Sequence, residues 1–228
     1  MSNGNFGFEA NFYQQLMSEV GVSPKRMLVI GCGAGVEVAH LADATGSIVV
    51  GIDLEVDPRW KKPNVLLLRA DAQKLPFRDG AFDCVYCYHV LEHVPQPPKA
   101  IAEARRMLPE AGAGYFGTPN KERTVGYIGG RATTWEKIQW NLIDWGRRLQ
   151  GRWSNEQGAH AGFSHVELSK LLAASFERVE SVDLPYYLGK YPKLAGFWRA
   201  LFQMGLARFV APSVYFRTRC RPNAAAPR

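Results

Sequence analysis

Three glycines, Gly31, Gly33 and Gly35, and two acids, Asp53 and Asp71, have the types and spacing to bind a small molecule. Glycines at alternate positions let a ligand lie against the main chain, because no Cβ intervenes. An ionised Asp only accepts hydrogen bonds. Asp53 can therefore take both hydroxyls of a sugar, and Asp71 an exocyclic amine, with the Ala72 N–H meeting a ring nitrogen. Five histidines, His40, His89, His93, His160 and His165, are the groups able to take a proton near neutral pH. The glycine pattern is G-x-G-x-G, and the third glycine of a dinucleotide fingerprint falls instead on Val36. No P-loop lysine accompanies it, so nothing points to a triphosphate.

These residues need elements to position them. The apolar run Met27–Ile30 enters the glycine turn and reads as a buried parallel strand. A helix over Ala34–Ala44 follows, with Val38, Leu41 and Ala42 on one side and its free N–H groups turned toward the loop. Ser47–Asp53, Asn64–Arg69, Ala81–Tyr88 and Gly114–Thr118 read as further strands. Pro97 and Pro98 open a helix whose inner face is Ile101, Ala104 and Leu108. Such alternation predicts βαβ units, a parallel sheet and helices on both faces. Ligands then sit beyond the carboxyl ends of the strands. Those ends carry the glycine loop, Asp53, Asp71 and Tyr88-His89, which together suit a nucleoside bearing an amino-acid arm.

The rest of the chain changes character. Phe8, Phe12, Leu16 and Val20 predict an N-terminal helix, and residues 119–160 hold no strand. Thr133-x-x-Glu136 is a capping box, followed by an apolar stripe of Trp135, Ile138, Leu142, Trp145 and Leu149, with Lys137, Arg147, Arg148 and Arg152 toward the polar side. Ser164-x-x-Glu167 opens the helix of Leu168, Leu171 and Leu172. Phe176–Leu184 and Ser213–Arg219 read as strands, and residues 194–210 as an apolar helix interrupted by Arg199 and Arg208. The expected organisation is one domain over 1–220, with helical insertions at 119–160, a possible lid, and at 190–210, then a disordered tail over 221–228.

The 228 residues suffice for a full hydrophobic core, and 46% of them are apolar. The net charge of +7 is uneven: residues 1–120 carry 11 Lys+Arg against 13 Asp+Glu, and residues 121–228 carry 17 against 8. A basic second half can meet anionic substrates, membrane surfaces or nucleic acid, or be only a solvated surface. Cys84-x-x-Cys87 lies in a strand whose alternation turns the two thiols to opposite faces, so no metal site is expected, and scattered cysteines suit a reducing compartment. Without a basic-then-apolar leader or a run of about 18 apolar residues, the chain reads as cytoplasmic, or peripheral to the inner face of a membrane.

The run Val29–Gly35, the acid Asp53, the block Asp71-Ala-Gln-Lys-Leu-Pro-Phe-Arg-Asp-Gly-Ala-Phe-Asp83 and the segment His89-Val-Leu-Glu-His-Val94 resemble a class I S-adenosylmethionine-dependent methyltransferase. They are similar to its small-molecule, type 11-like branch, closely over residues 25–120 and loosely over 160–184. The resemblance implies a doubly wound α/β fold: a mostly parallel seven-stranded sheet of Rossmann-like methyltransferase type, helices on both faces, last strand antiparallel. It implies S-adenosylmethionine as cofactor and transfer of a methyl group to an oxygen or nitrogen of a small molecule. It places Gly31, Cys32, Gly33 and Gly35 along the methionine arm, Asp53 on the ribose, Leu54 on the adenine face, Asp71 and Ala72 at the adenine edge, and Tyr88 and His89 near the methyl group.

A hydroxyl or ammonium acceptor must lose a proton. His89, His160 and His165 are the candidate bases, whereas His40 on its helix and His93 in the Leu-Glu-His segment read as structural. An amino-methylating enzyme of nucleic acid would carry N/D-P-P-Y/F after the fourth strand; Tyr-His-Val-Leu stands there, which argues against a nucleic-acid partner. Two alternatives stay open: a peripheral-membrane enzyme acting on a lipid or quinone-like acceptor through 135–153 or 194–210, and a non-catalytic binding protein. The Trp-rich helix has four readings: a lid, a membrane anchor, a dimer face, or a helix whose apolar face packs on the domain, as amphipathic helices ordinarily do.

Overall fold

The computed structural model describes residues 24–56, 62–127, 133–156 and 159–220. The helix expected at 8–20 and the tail at 221–228 lie outside the described residues. Strands β1 (Arg26–Ile30), β2 (Ile48–Asp53), β3 (Val65–Arg69), β4 (Cys84–Tyr88), β5 (Ala113–Pro119), β6 (Arg178–Ser181) and β7 (Ser213–Arg219) form one sheet in the order β3-β2-β1-β4-β5-β7-β6. The first five run parallel, while β7 is antiparallel to both β5 and β6. The strand order reverses between β1 and β4, which opens a crevice at their carboxyl ends.

Alternation along the strands builds two cores. Met27 and Val29 join Val38 and Leu41 of α1 (Val36–Thr45) on one face, with Tyr186, Tyr187 and Trp198 of α5 (Asp183–Lys190) and α6 (Ala195–Gln203). Leu28 and Ile30 face the other way, onto Ile101 and Ala104 of α2 (Pro97–Arg106) and Leu168 and Leu172 of α4 (His165–Ala173). Cys84 sits in the first layer and Cys87 in the second, so their thiols diverge.

Two expected elements differ. The strand read over Phe176–Leu184 ends at Ser181, and Asp183 starts α5 instead. The helix read over 194–210 is a 3₁₀ turn at Pro192–Leu194, then α6, then α7 (Ala207–Val210), parted by Gly205 at φ +68°.

The Trp-rich helix α3 (Thr134–Leu149) forms where expected, with its capping box in place. Its orientation reverses the ordinary one. Asp144 is its only buried residue, and Trp135, Leu142 and Leu149 are 65%, 57% and 91% exposed. The polar side faces the domain because the loop over 120–127 needs hydrogen-bond partners. Asn141 Oδ1 accepts from the Gly126 N–H at 2.7 Å, Asp144 accepts from the Tyr127 hydroxyl at 3.0 Å, and Arg148 donates to the Lys121 carbonyl at 3.1 Å. The helix is docked by polar bonds, and its apolar stripe looks outward.

Candidate active site

The carboxyl ends of β1 to β4 enclose a cavity of about 410 Å³. Gly31, Asp53, Leu54, Asp71, Ala72 and His89 line it, with Val90 and His93. The glycine turn approaches the end of β4 so closely that a Cβ on Gly31, at φ +79°, would stand 2.0 Å from Val90 Cγ2. Gly33 donates its N–H to Asp53 Oδ2 at 2.7 Å, tying the loop to the end of β2 and fixing the carboxylate. Among the described residues Asp53 Oδ1 accepts only a long 3.3 Å bond from the Glu55 N–H, which leaves it capacity for a ligand hydroxyl. Asp71 Oδ1 accepts from the Gln73 N–H at 2.8 Å. Gly33 and Gly35 follow Gly31 with positive φ, and Gly35 is the N-cap of α1, its own N–H donating to the Cys32 carbonyl at 2.7 Å.

A second cavity of about 330 Å³ lies beyond β4 and β5. Tyr88, Tyr127, Tyr186, Tyr187, Tyr191 and Tyr215 supply its aromatic wall and Arg123 and Lys190 its cations, and among the described residues no Asp or Glu lines it. Gly117 makes the wall possible: a Cβ there would meet Tyr215 at 2.7 Å and Tyr88 at 2.8 Å. Those two rings stack at 5.5 Å and their hydroxyls are 3.0 Å apart. Burial pushes the phenols of Tyr88, Tyr186, Tyr187 and Tyr215 up, so they stay neutral. Arg123 is buried, and desolvation lowers its pKa against the pull of Asp144, whose carboxylate is 3.7 Å away.

His89 lines both cavities. It sits at φ +55°, a left-handed backbone that costs a side-chain-bearing residue free energy and is often kept at functional positions. Its Nδ1 is 3.3 Å from Glu92 Oε1, and its Nε2 is 3.5 Å from Ser213 Oγ in the second cavity. Glu92 is buried and neither of its oxygens has an aligned hydrogen bond, so the His89 and His93 rings are its polar neighbours. This arrangement can hold an imidazole with Nδ1 toward a carboxylate and Nε2 toward a bound molecule.

The structure distributes the other expected residues. His160 lines the second cavity and meets the His93 ring at a tilt, 4.7 Å between centroids, and His93, read as structural, lines the first. His165 reaches neither cavity. It lies beside Asp183 in a separate recess, its Nε2 3.7 Å from Asp183 Oδ2. Tyr88 faces the second cavity rather than the first, Cys32 is buried in the core, and His40 is buried in α1. Reading the sequence missed Glu92, whose signal was its place three residues after His89 on the same turn. It also missed the Arg123–Lys190–tyrosine wall, which comes from segments far apart in the chain.

Comparison with known proteins covers part of this architecture. Residues 28–116 match the family model of a methyltransferase domain. The chain is 34% identical over 112 residues to a ubiquinone biosynthesis O-methyltransferase of Aromatoleum aromaticum, covering 44% of this chain and 47% of that protein. It spans about half the length, or less, of the curated relatives it matches. Among solved structures, a SAM-dependent methyltransferase from Aquifex aeolicus superposes with a TM-score of 0.57 at 15% identity, covering 93% of this chain and 92% of that one. A Haemonchus contortus phosphoethanolamine N-methyltransferase, in complex with phosphomonomethylethanolamine and S-adenosylhomocysteine, gives 0.56 at 17% identity over 90% of this chain and 52% of that one. The family match contains the first cavity and, apart from Tyr88 and His89, none of the residues lining the second.

Proposed function

We propose, from the premise that this chain belongs to the class I S-adenosylmethionine-dependent methyltransferases, that it moves a methyl group to an oxygen or nitrogen of a small acceptor held in the tyrosine-lined cavity. S-adenosylmethionine, when bound, supplies an electrophilic methyl group on a sulfonium. The first cavity fits it by donor set and space: a hydroxyl-accepting carboxylate at Asp53, an apolar side chain at Leu54, an amine-accepting carboxylate at Asp71 and bare backbone at Gly31.

His89 carries the reading, because it is the lining residue common to both cavities. Its Nε2 takes the proton of the acceptor hydroxyl or ammonium, while the Glu92 carboxylate, 3.3 Å from Nδ1, offsets the charge that the ring gains. The tyrosine wall orients a flat or apolar acceptor behind the methyl group, and much of the rate follows from that placement. Arg123 and Lys190 favour an acceptor bearing negative charge.

Calorimetry should show S-adenosylmethionine binding that Asp53→Ala weakens by roughly tenfold or more, the cost of a charge-assisted hydrogen bond. Incubation with a panel of phenols, hydroxy acids and amines, read by release of S-adenosylhomocysteine, identifies the acceptor. His89→Asn should abolish release while leaving cofactor affinity intact. Release unaffected by His89→Asn overturns the base assignment, and no cofactor binding overturns the reading as a whole.

A further inference from the structure

We propose that the outward stripe of α3, with the segment at 190–210, docks this protein on an anionic lipid surface and brings the mouth of the second cavity to that surface. Trp135, Ile138, Leu142, Trp145 and Leu149 lie on one side of α3, and all five are exposed. Leu194, Phe197, Met204 and Leu206 add exposed apolar groups on the other segment. Thr124 joins the two: its carbonyl accepts from Trp145 Nε1 at 2.6 Å, and its N–H donates to the Phe209 carbonyl at 2.8 Å. The apolar surface therefore spans a seam rather than one isolated helix, a kind of patch that marks an interaction site.

Charge selects the occupant. Residues 190–210 hold Lys190, Lys193, Arg199 and Arg208 and no acid. Lys137, Arg147 and Arg152 lie along or just after α3, where Glu136 is engaged in the helix cap. Tryptophan and leucine flanked by Lys and Arg suit the boundary of headgroup and acyl chain, where the rings bury and the cations meet lipid phosphates. A second copy of the chain would bring the same cations against themselves.

The cavity adjoins this seam. Tyr127, one of its walls, packs at a tilt on Trp140 of α3 at 5.0 Å, on the domain side of that helix, and Lys190 and Tyr191 line the cavity at the start of the basic segment. An acceptor dissolved in the lipid could enter the cavity without crossing bulk water.

The test is co-sedimentation of the full chain with vesicles of equal parts phosphatidylglycerol and phosphatidylcholine, against phosphatidylcholine alone. Binding should be selective for the anionic vesicles and should weaken with salt. Lys193→Gln with Arg199→Gln, both exposed, should weaken partition roughly fivefold each, about 25-fold together. Ile138→Glu with Leu142→Glu should weaken it at least about tenfold. Calorimetric affinity for S-adenosylmethionine should stay unchanged in both variants, which reports that they fold. Equal binding to neutral vesicles, no binding to anionic ones, or unaltered binding by both folded variants overturns the proposal. So does a concentration-dependent dimer that the Ile138/Leu142 variant dissociates, since a second copy would then occupy the stripe. Failure on vesicles leaves the methyl-transfer reading standing, because cofactor binding and product release are measured without lipid.

Discussion

Gly31→Ala tests how the first cavity is built. The added Cβ would stand 2.0 Å from Val90 Cγ2 on a backbone at φ +79°. Non-bonded carbons rest at about 3.5–4 Å, so Val90 or the loop must yield by roughly 1.5 Å. Left-handed backbone costs a residue with a Cβ about 1–2 kcal/mol, and overpacking costs about 1–3 kcal/mol. The variant should lose roughly 2–5 kcal/mol, which lowers the melting temperature of a domain this size by about 5–15 °C. Its affinity for S-adenosylmethionine should fall as well, since Gly31 and Val90 both line the cavity. Val90→Ala separates the two causes. By itself it should cost about 1 kcal/mol. Combined with Gly31→Ala it removes the collision and leaves only the backbone strain. The double variant should therefore be more stable than the sum of the singles by roughly 1–3 kcal/mol. Thermal denaturation of the four proteins, with calorimetric titration of the cofactor, measures the cycle. Strictly additive losses, or a Gly31→Ala variant that melts with the wild type, would refute the packing argument.

Two further outcomes follow from buried charge. Glu92 lies 3.3 Å from His89 Nδ1, an attraction of at most about 5 kcal/mol toward the protonated ring at an effective dielectric near 20. His89 is 42% exposed, so screening leaves about 1–3 kcal/mol, and Glu92→Gln should cut kcat roughly ten- to hundredfold. Cofactor affinity and melting temperature should hold, because the lost carboxylate has no aligned hydrogen bond, and nitrogen-15 spectra of the His89 ring should show a changed tautomer population. Unchanged spectra and kcat would remove Glu92 from the mechanism. Burial raises the Asp183 carboxyl from 3.8 to about 7 against the hydrogen bonds from Tyr215 and Ser181, while desolvation lowers His165 beside it against the pull of Glu122. At Asp183 the folded state then holds a proton that the unfolded chain releases, so the Asp183 contribution to stability falls as pH rises from about 4 through about 7, while the lowered His165 contributes with the opposite sign. Asp183→Asn keeps an oxygen for the Tyr215 N–H and removes that slope, gaining at most about 4 kcal/mol above pH 7. Denaturant midpoints across that range, if they fall with pH as steeply in the variant as in the wild type, assign the slope to other groups.

The first cavity was legible in the sequence because its parts are local and topology does the gathering. An apolar run ending in Gly31 or Asp53 is a buried parallel strand with a ligand-facing end, and a parallel sheet brings all such ends to one edge. The Val182–Leu184 stretch misled because a short apolar run suits strand or helix equally. Tertiary contacts decided it: Tyr186 and Tyr187 pack under β7, and Tyr187 exchanges hydrogen bonds with Ser213. The second cavity could not be read, since Arg123, Lys190 and Tyr215 meet only once β7 pairs antiparallel with β5. The case of α3 is sharper. Periodicity located its apolar stripe residue by residue but carries no information about which side the domain will take. That was settled by the 120–127 loop, where the Gly126 N–H and the Lys121 carbonyl took Asn141 and Arg148 as partners, which turned those side chains inward and left the tryptophans outside.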